Sequence, residues 1–239
     1  MREFTLTKDR PPLRRLELSY DAASVRERFM KLTTPFASDV LHEMGWKSQV
    51  LDSGIYPLVD DMIVAGPAFT WSRYRGPIER ERDVGHIDCI PSITPGCVVI
   101  SDDSGDRTSA HMGDIISMLY RAKGCVGAVL DGNVRDTKSV IAMNFPMFCR
   151  GKTPVAGHER SVVIDYQVPI FMHGVDGMLR VNPGDYVFGD RDGVVIIPGH
   201  IVLDVLARME AMAQIEVEMR AAVAGGMDPV DAFHKYHRA

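Results

Sequence analysis

The sequence predicts one α/β domain closed by a C-terminal helix, and three observations carry that prediction. Between residues 97 and 149, short apolar runs alternate with stretches of helical period, the pattern of a partly parallel sheet. From 162 to 198 the apolar runs follow one another closely, with turn residues between them and little room for helix. Residues 199–221 then hold a long helical pattern that ends near Gly225-Gly226. No linker, low-complexity tract or internal repeat divides the 239 residues. The expected organisation is an N-terminal arm over 1–20, one domain over 21–222 and a short charged tail over 223–239.

Asp21 can open a helix over DAASVRERFMK (21–31), because its carboxylate can take an orphan amide of the first turn. A second helix follows Thr33-Thr34-Pro35 and stops at Gly45. MIVAGPAFTWSRY (62–74) is β-rich around a Gly-Pro break, and CVVIS (97–101) reads as a buried strand. Ile115 to Lys123 has apolar residues at 115, 116, 118 and 119, with Gly124 as its stop. CVGAVLD (125–131) reads as a buried strand and Gly132-Asn133 as a turn. Residues 136–144 suit a short helix, and FPMFC (145–149) another strand. VVIDYQVPIFM, DYVFGD and GVVIIP are further strands, with turns at Asn182-Pro183-Gly184-Asp185 and Asp190-Arg191-Asp192-Gly193.

Composition narrows the function classes. Apolar residues at 46% and charged residues at 25% describe an ordinary globular chain, long enough to bury a sizeable core. The net charge is −5 with both signs mixed, which argues against a nucleic-acid partner, since phosphates favour a clustered basic face. No apolar run reaches the roughly 20 residues that span a bilayer. The opening MREFTLTKDRPPLRR lacks the apolar core of a signal peptide. A cytoplasmic protein with no membrane partner is expected. Cys89, Cys97, Cys125 and Cys149 form no CxxC pair and read as buried free thiols of a reducing compartment.

Several signatures are absent: GxGxxG after a strand, GxxxxGK[ST], GxSxG and HExxH. The eight histidines show no metal spacing; His111 draws notice only because it lies two residues before Gly113-Asp114. A Schiff-base enzyme needs a desolvated lysine, and Lys123, Lys138 and Lys152 sit at a helix end or in loops. If carbonyl chemistry occurs, a metal is the better electron sink.

The stretch GDIISMLYRAKGCVGAVLDGNVRD (113–136) carries the candidate chemistry. Asp114 opens a helix, whose first amides, those of Ile115 and Ile116, suit an anion. Arg135 offers a planar fork for a carboxylate. Asp136 offers a hard oxygen for Mg²⁺ or Mn²⁺, and Asp114 could hold a water of that metal. From the residues alone two readings stand: a site for an anion with a metal, or a helix cap beside a surface ion pair.

The spacing of Asp114 and Arg135-Asp136 resembles the signature of the RraA-like family. AGPAFT (65–70), PGCVVISDDSGD (95–106), GDIIS (113–117), GAVLDGNVRD (127–136), FPMFCRG (145–151) and NPGDYVFGDRDGVVIIP (182–198) look like family blocks in order, as does the Glu-bearing C-terminal helix. The likeness covers roughly 30–220 and includes the class II pyruvate aldolases of that family. They act on 4-hydroxy-4-methyl-2-oxoglutarate and 4-carboxy-4-hydroxy-2-oxoadipate. It implies an α/β sandwich related to the swivelling phosphohistidine-type domain, assembled as a homotrimer or homohexamer with sites between subunits. Carried over by motif, Asp136 would ligate the Mg²⁺ or Mn²⁺ and Asp114 would hold a metal-bound water. Gly113, Arg135 and the amides of Ile115 and Ile116 would bind the pyruvyl part. A neighbouring subunit would add an acid through water; Glu216 fits best, with Glu210 and Glu218 close by.

The implied reaction is retro-aldol cleavage of a 4-hydroxy-2-oxo acid to pyruvate, with oxaloacetate decarboxylation through the same enolate. A second substrate carboxylate would need a cation. Arg107, His111 and Arg150 are the candidates, and Arg73 and Arg75 are weaker ones. The stretch 156–181 is longer than the family pattern implies, which bears on substrate choice. The competing function is a non-catalytic regulator that binds a ribonuclease, as some family members do.

Overall fold

The computed structural model describes residues 12–76, 85–158 and 160–236. Residues 1–11 of the expected arm and His237 of the expected tail lie outside the described residues. Helix α1 (Ala22–Phe29) starts where Asp21 Oδ2 accepts the Ser24 amide at 2.7 Å. Helix α2 (Thr34–Glu43) has Pro35 in its first turn, where a missing amide costs nothing, and Gly45 at φ +87° ends it. Strand β1 (Tyr56–Pro57) is short, and β2 (Val64–Arg75) is long.

The Gly-Pro pair does not break β2. It marks where the strand changes partners. Val64–Pro67 pair antiparallel with β10 (Tyr186–Asp190), and Ala68–Ser72 pair parallel with β3 (Val98–Met112). Pro67 has no amide for a ladder, so it sits at the handover. Gly66 is required by close approach, since a Cβ there would lie 2.3 Å from the Gly96 carbonyl oxygen.

Two expectations are corrected in the next segment. The pattern promised a strand over 97–101, yet β3 runs 15 residues to Met112. Its polar second half is irregular rather than absent. The parallel register to β4 (Gly127–Val134) shifts three times, and Ser104 and Gly105 take positive φ. Gly132-Asn133, expected as a turn, lies inside β4. A Cβ on Gly132 would meet His111 Cδ2 at 2.6 Å and Asp103 Cβ at 2.8 Å, so this glycine serves packing and not chain reversal.

Helix α3 (Asp114–Ala122) joins β3 to β4, and α4 (Thr137–Ala142) joins β4 to the parallel strand β5 (Met147–Cys149). Strand β6 (Gly151–Lys152) pairs with the end of β4. The apolar run after it is two strands, because Gln167 takes φ +52° and Pro169 follows. These are β7 (Ser161–Tyr166), antiparallel to β2, and β8 (Ile170–Gly174). Strand β9 (Gly177–Val181) forms a separate hairpin with β8, within the stretch noted as long. Strand β11 (Gly193–Ile197) pairs with β10.

The result is a single mixed α/β domain around a nine-stranded sheet of order β1-β5-β4-β3-β2-β10-β11, with β6 and β7 attached to β4 and β2. Its core has two parts. One packs β2–β5 with Tyr120 of α3 and Val140 of α4. The other packs α1, α2 and α5 (Val202–Ala224) against β10 and β11. Only the first two turns of α5 are buried, through Val202, Val205, Leu206 and Met209. A further helix, α6 (Pro229–Tyr236), stands where a tail was expected and buries Ala232. All four cysteines are free and buried. Among the described residues no helix is long and apolar enough to cross a membrane.

Candidate active site

Strands β3 and β4 run parallel, so the starts of α3 and α4 meet at one edge of the sheet, the edge where parallel α/β sheets place ligands. The Arg135 amide continues the ladder by one rung, donating to the Met112 carbonyl at 3.1 Å. That rung fixes Arg135-Asp136 against Gly113-Asp114. Gly113 is extended, and a Cβ on it would lie 2.6 Å from Asp136 Oδ2 and 3.3 Å from Arg135 Nε. Only a glycine leaves that space.

Asp136 takes the left-handed conformation, φ +53° and ψ +30°, which costs a non-glycine residue roughly 1 kcal/mol or more. It stands at the cap position of α4, yet its carboxylate does not cap. Its backbone carbonyl accepts the Ser139 amide at 3.0 Å, while Oδ2 turns toward Gly113 and lies 3.2 Å from Arg135 Nε. Both side chains are about half exposed, at 45% for Arg135 and 40% for Asp136. Asp114 Oδ1 accepts the Ile115 amide at 2.7 Å, so one of the two amides expected to receive a ligand is already engaged. Ser117 Oγ donates to the Gly113 carbonyl at 2.8 Å and holds the turn.

The structure brings Gly113, Asp114, Ile115, Ile116, Arg135 and Asp136 together. It places the remaining candidates elsewhere. His111 is buried beneath Gly132, with Nε2 3.0 Å from Asp106 Oδ2 and Nδ1 3.1 Å from Ser161 Oγ. Both ring nitrogens are committed, so the expectation that His111 faces a ligand is corrected: it is part of the floor. Arg150 is committed to Asp131 and to Asp52. Arg73 is held by Asp103, Ser161 and His86, and Arg75 by Asp106. Arg107 is exposed, and among the described residues no hydrogen bond or ion pair engages its guanidinium.

The C-terminal acids separate just as cleanly. Glu210 is gripped by Arg28 through two bonds of 2.8 and 2.6 Å, which hold its carboxyl below the usual range. Glu218 accepts from Gln214 at 3.0 Å, and Glu216 pairs with Arg220 at 3.1 Å. Helix α5 packs on α1 and α2, across β10 and β11 from the β3–β4 edge. Within one chain the Asp114–Asp136 edge therefore lacks Glu216. Among the described residues no group of three His, Cys, Asp or Glu side chains could by itself hold a metal. Asp114 and Asp136, at the starts of α3 and α4, offer carboxylates, which are hard oxygen donors. They fit an ion such as Mg²⁺ or Mn²⁺ that keeps several waters and asks few protein ligands.

Sequence reasoning missed the floor beneath this edge. Asp106 accepts the Thr108 amide and hydroxyl, the Ser109 hydroxyl and His111. Burial opposes its ionisation, but those bonds hold its carboxyl down to about 2. Burial pushes the Asp103 carboxyl up despite His111 and Arg73 beside it. Burial, with the Arg73 charge, pushes His86 down to about 3, so it accepts a bond from Arg73 Nη1 at 2.7 Å as a neutral ring. A second group joins buried Asp131 to Arg150 and, at 2.5 Å, to His173 Nδ1. The density of acids in SDDSGD was the one available signal, because their partners lie far along the chain.

The family model RraA-like (Aldolase/RraA) matches residues 34–196. A Halalkalibacterium halodurans protein with the provisional name 4-hydroxy-4-methyl-2-oxoglutarate aldolase is 34% identical over 171 residues, 72% of this chain and 75% of that one. An uncharacterised protein from Pseudomonas syringae superposes with a TM-score of 0.79 at 28% identity, covering 92% of this chain and 98% of its own. Streptomyces coelicolor RraAS2, described as an unusual member of the RNase ES inhibitor RraA family, gives a TM-score of 0.73 at 25% identity, covering 83% and 97%.

Proposed function

The chain belongs to the RraA-like (Aldolase/RraA) family, and from that premise we propose that it is a divalent-metal-dependent lyase releasing pyruvate from a 4-hydroxy-2-oxo acid. The observation that carries the proposal is the approach of Arg135 and Asp136 to the Cβ-free space at Gly113, the residue before Asp114. The name of the Halalkalibacterium relative supports the reaction class.

Asp136 would hold the Mg²⁺ or Mn²⁺, with Asp114 engaged through water. When bound, such an ion supplies a Lewis acid for the 2-oxo group. Arg135 would clasp the pyruvyl carboxylate with its fork, aided by the Ile116 amide at the start of α3. As the C3–C4 bond breaks, its electron pair moves into the pyruvate enolate, and the Arg135 charge offsets the charge that builds there. Asp114 would orient the water that accepts the 4-hydroxyl proton. Glu216 of the partner subunit would complete that shell in a homotrimer or homohexamer. Oxaloacetate would pass through the same enolate with CO₂ as the leaving fragment.

The test is pyruvate release from 4-hydroxy-4-methyl-2-oxoglutarate and from oxaloacetate by metal-stripped protein, with and without added Mg²⁺ or Mn²⁺. Metal-dependent release from either supports the lyase, and the rate ratio separates aldolase from decarboxylase. No release from folded oligomer would remove the lyase and favour the ribonuclease-binding regulator.

A further inference from the structure

Three buried polar atoms without a hydrogen-bond partner among the described residues lie where α1 meets β10. They are the hydroxyls of Tyr20 and Tyr186 and Nε of Arg26. The two phenol rings are 6.5 Å apart. Phe29 stacks on Tyr186 at 4.4 Å, and Arg26, three residues earlier on α1, shares that side of the helix. Among the described residues no hydrogen bond or ion pair engages the Arg26 guanidinium. Burial pushes the Tyr20 phenol up to about 12 and raises Tyr186 as well, so both are neutral hydroxyl donors. Buried polar groups in folded proteins are nearly always paired, so three orphaned donors in one place point to a ligand.

The chain beside this cluster is a strap. Arg14 Nη1 donates to the Tyr166 carbonyl at 2.7 Å, the Leu16 amide donates to Thr94 Oγ1 at 2.9 Å, and Asp21 then opens α1. Between these anchors no hydrogen bond among the described residues holds 17–20. A cleft of about 500 Å³ runs along the strap. Leu16, Leu18 and Tyr20 form one wall, and Pro183, Gly184 and His200 the other. Tyr20 is common to the cleft and to the donor cluster. Asp185 also lines the cleft, but its carboxylate is filled by the Gly199 amide and by the amide and side chain of Asn182. Arg15 and Glu17 on the strap are exposed and opposite in charge.

We infer that this place binds a short aliphatic monocarboxylate, its carboxylate on Tyr20, Tyr186 and Arg26 and its chain in the cleft. A carboxylate accepts several hydrogen bonds on two oxygens, and its single charge matches the one guanidinium. Water could answer the phenols but would leave the Arg26 charge without a counterion. The site belongs to α1 and β10 and not to the Gly113–Asp136 edge, so it does not depend on the lyase reading.

The test is calorimetric titration of the full-length protein with butyrate, and with butyramide as its neutral analogue. Wild type is expected to bind butyrate at least about tenfold tighter than butyramide. Arg26→Gln should weaken butyrate by roughly 10- to 100-fold, and Tyr186→Phe by roughly 3- to 10-fold. Arg135→Gln, which removes the cation of the edge, should leave butyrate binding unchanged. Without butyrate, Tyr186→Phe should melt no lower than wild type, because it removes an unpaired buried hydroxyl. That variant carries the test if Arg26→Gln does not fold. No butyrate binding by folded wild type, equal binding of butyramide, or full affinity in Arg26→Gln and Tyr186→Phe overturns the site. Loss of binding in Arg135→Gln would give butyrate to the edge and overturn it too.

Discussion

The edge and the floor of this site are built on the same two strands and use the same residue types, yet they are in opposite states. At the edge, Arg135 and Asp136 are half exposed, Asp136 is strained, and its carboxylate declines the cap role its position offers. In the floor, four residues back along β4 and a few back along β3, Asp131, Asp106 and His111 are buried and surrounded by donors. Burial forces the difference, because an uncompensated charge in the interior costs several kcal/mol while one at the rim does not. Unspent hydrogen-bonding capacity at a rigid rim marks a binding site. Saturation marks the support beneath it.

The largest effect that sharpens this contrast is on rate. Asp136→Ala is expected to lower pyruvate release by on the order of 10³-fold. The left-handed backbone persists and alanine tolerates it less well than aspartate, so stability falls by only about 1 kcal/mol. Arg135→Lys should lower it by roughly 100-fold or more, because an ammonium cannot reproduce the fork. Near-normal turnover in Arg135→Lys would remove Arg135 from the pyruvyl site. Unfolding of Asp136→Ala would move Asp136 from the edge to the floor.

The edge was legible in the sequence and the floor was not, for one physical reason. Gly113-Asp114 and Arg135-Asp136 are each adjacent pairs at helix starts, and a single β–α–β step brings them together, so local pattern sufficed. The floor is assembled from distant segments. Ser161 meets His111 across 50 residues, Arg73 meets Ser161 across 88, and Arg150 meets Asp52 across 98. Gly132 was misread as a turn because a glycine that makes room for His111 looks, in one sequence, like a glycine that turns the chain. The same limit made His111 a ligand candidate when its two nitrogens are already spent. It also hid β9 and α6, whose short apolar patterns lie near turn residues.

The floor predicts a loss of stability next in size. Asp106→Asn weakens bonds to Thr108, Ser109 and His111, and about 3 kcal/mol is expected. That corresponds to a fall in Tm of roughly 6–12 °C for a domain of this length. The pH dependence has a defined sign. The folded carboxyl titrates at about 2, below the ordinary carboxylate value near 4. Its stabilisation is therefore complete above about pH 5 and drains away as pH falls toward 2. Thermal melts of wild type should drop through that window, and Asp106→Asn should flatten the drop. An unchanged slope would mean that other carboxylates govern acid unfolding.

The smallest effects test whether the contrast extends to α5. Glu210 and Glu216 are less than two turns apart, but Arg28 of another helix holds the first with two bonds, while Arg220 on the same helix bonds the second at 3.1 Å. An acid gripped twice by another helix has little left for a site in another copy. Glu210→Ala should therefore shift stability by about 1 kcal/mol or less, as exposed pairs do, and leave the rate unchanged. Glu216→Ala should leave Tm and oligomer mass unchanged and lower the rate by about 10-fold, the scale of a group acting through water. The reverse pattern would make Glu210 the acid that crosses to the partner. No rate change in either would place the third acid outside this pair and make Glu218 the next substitution to measure.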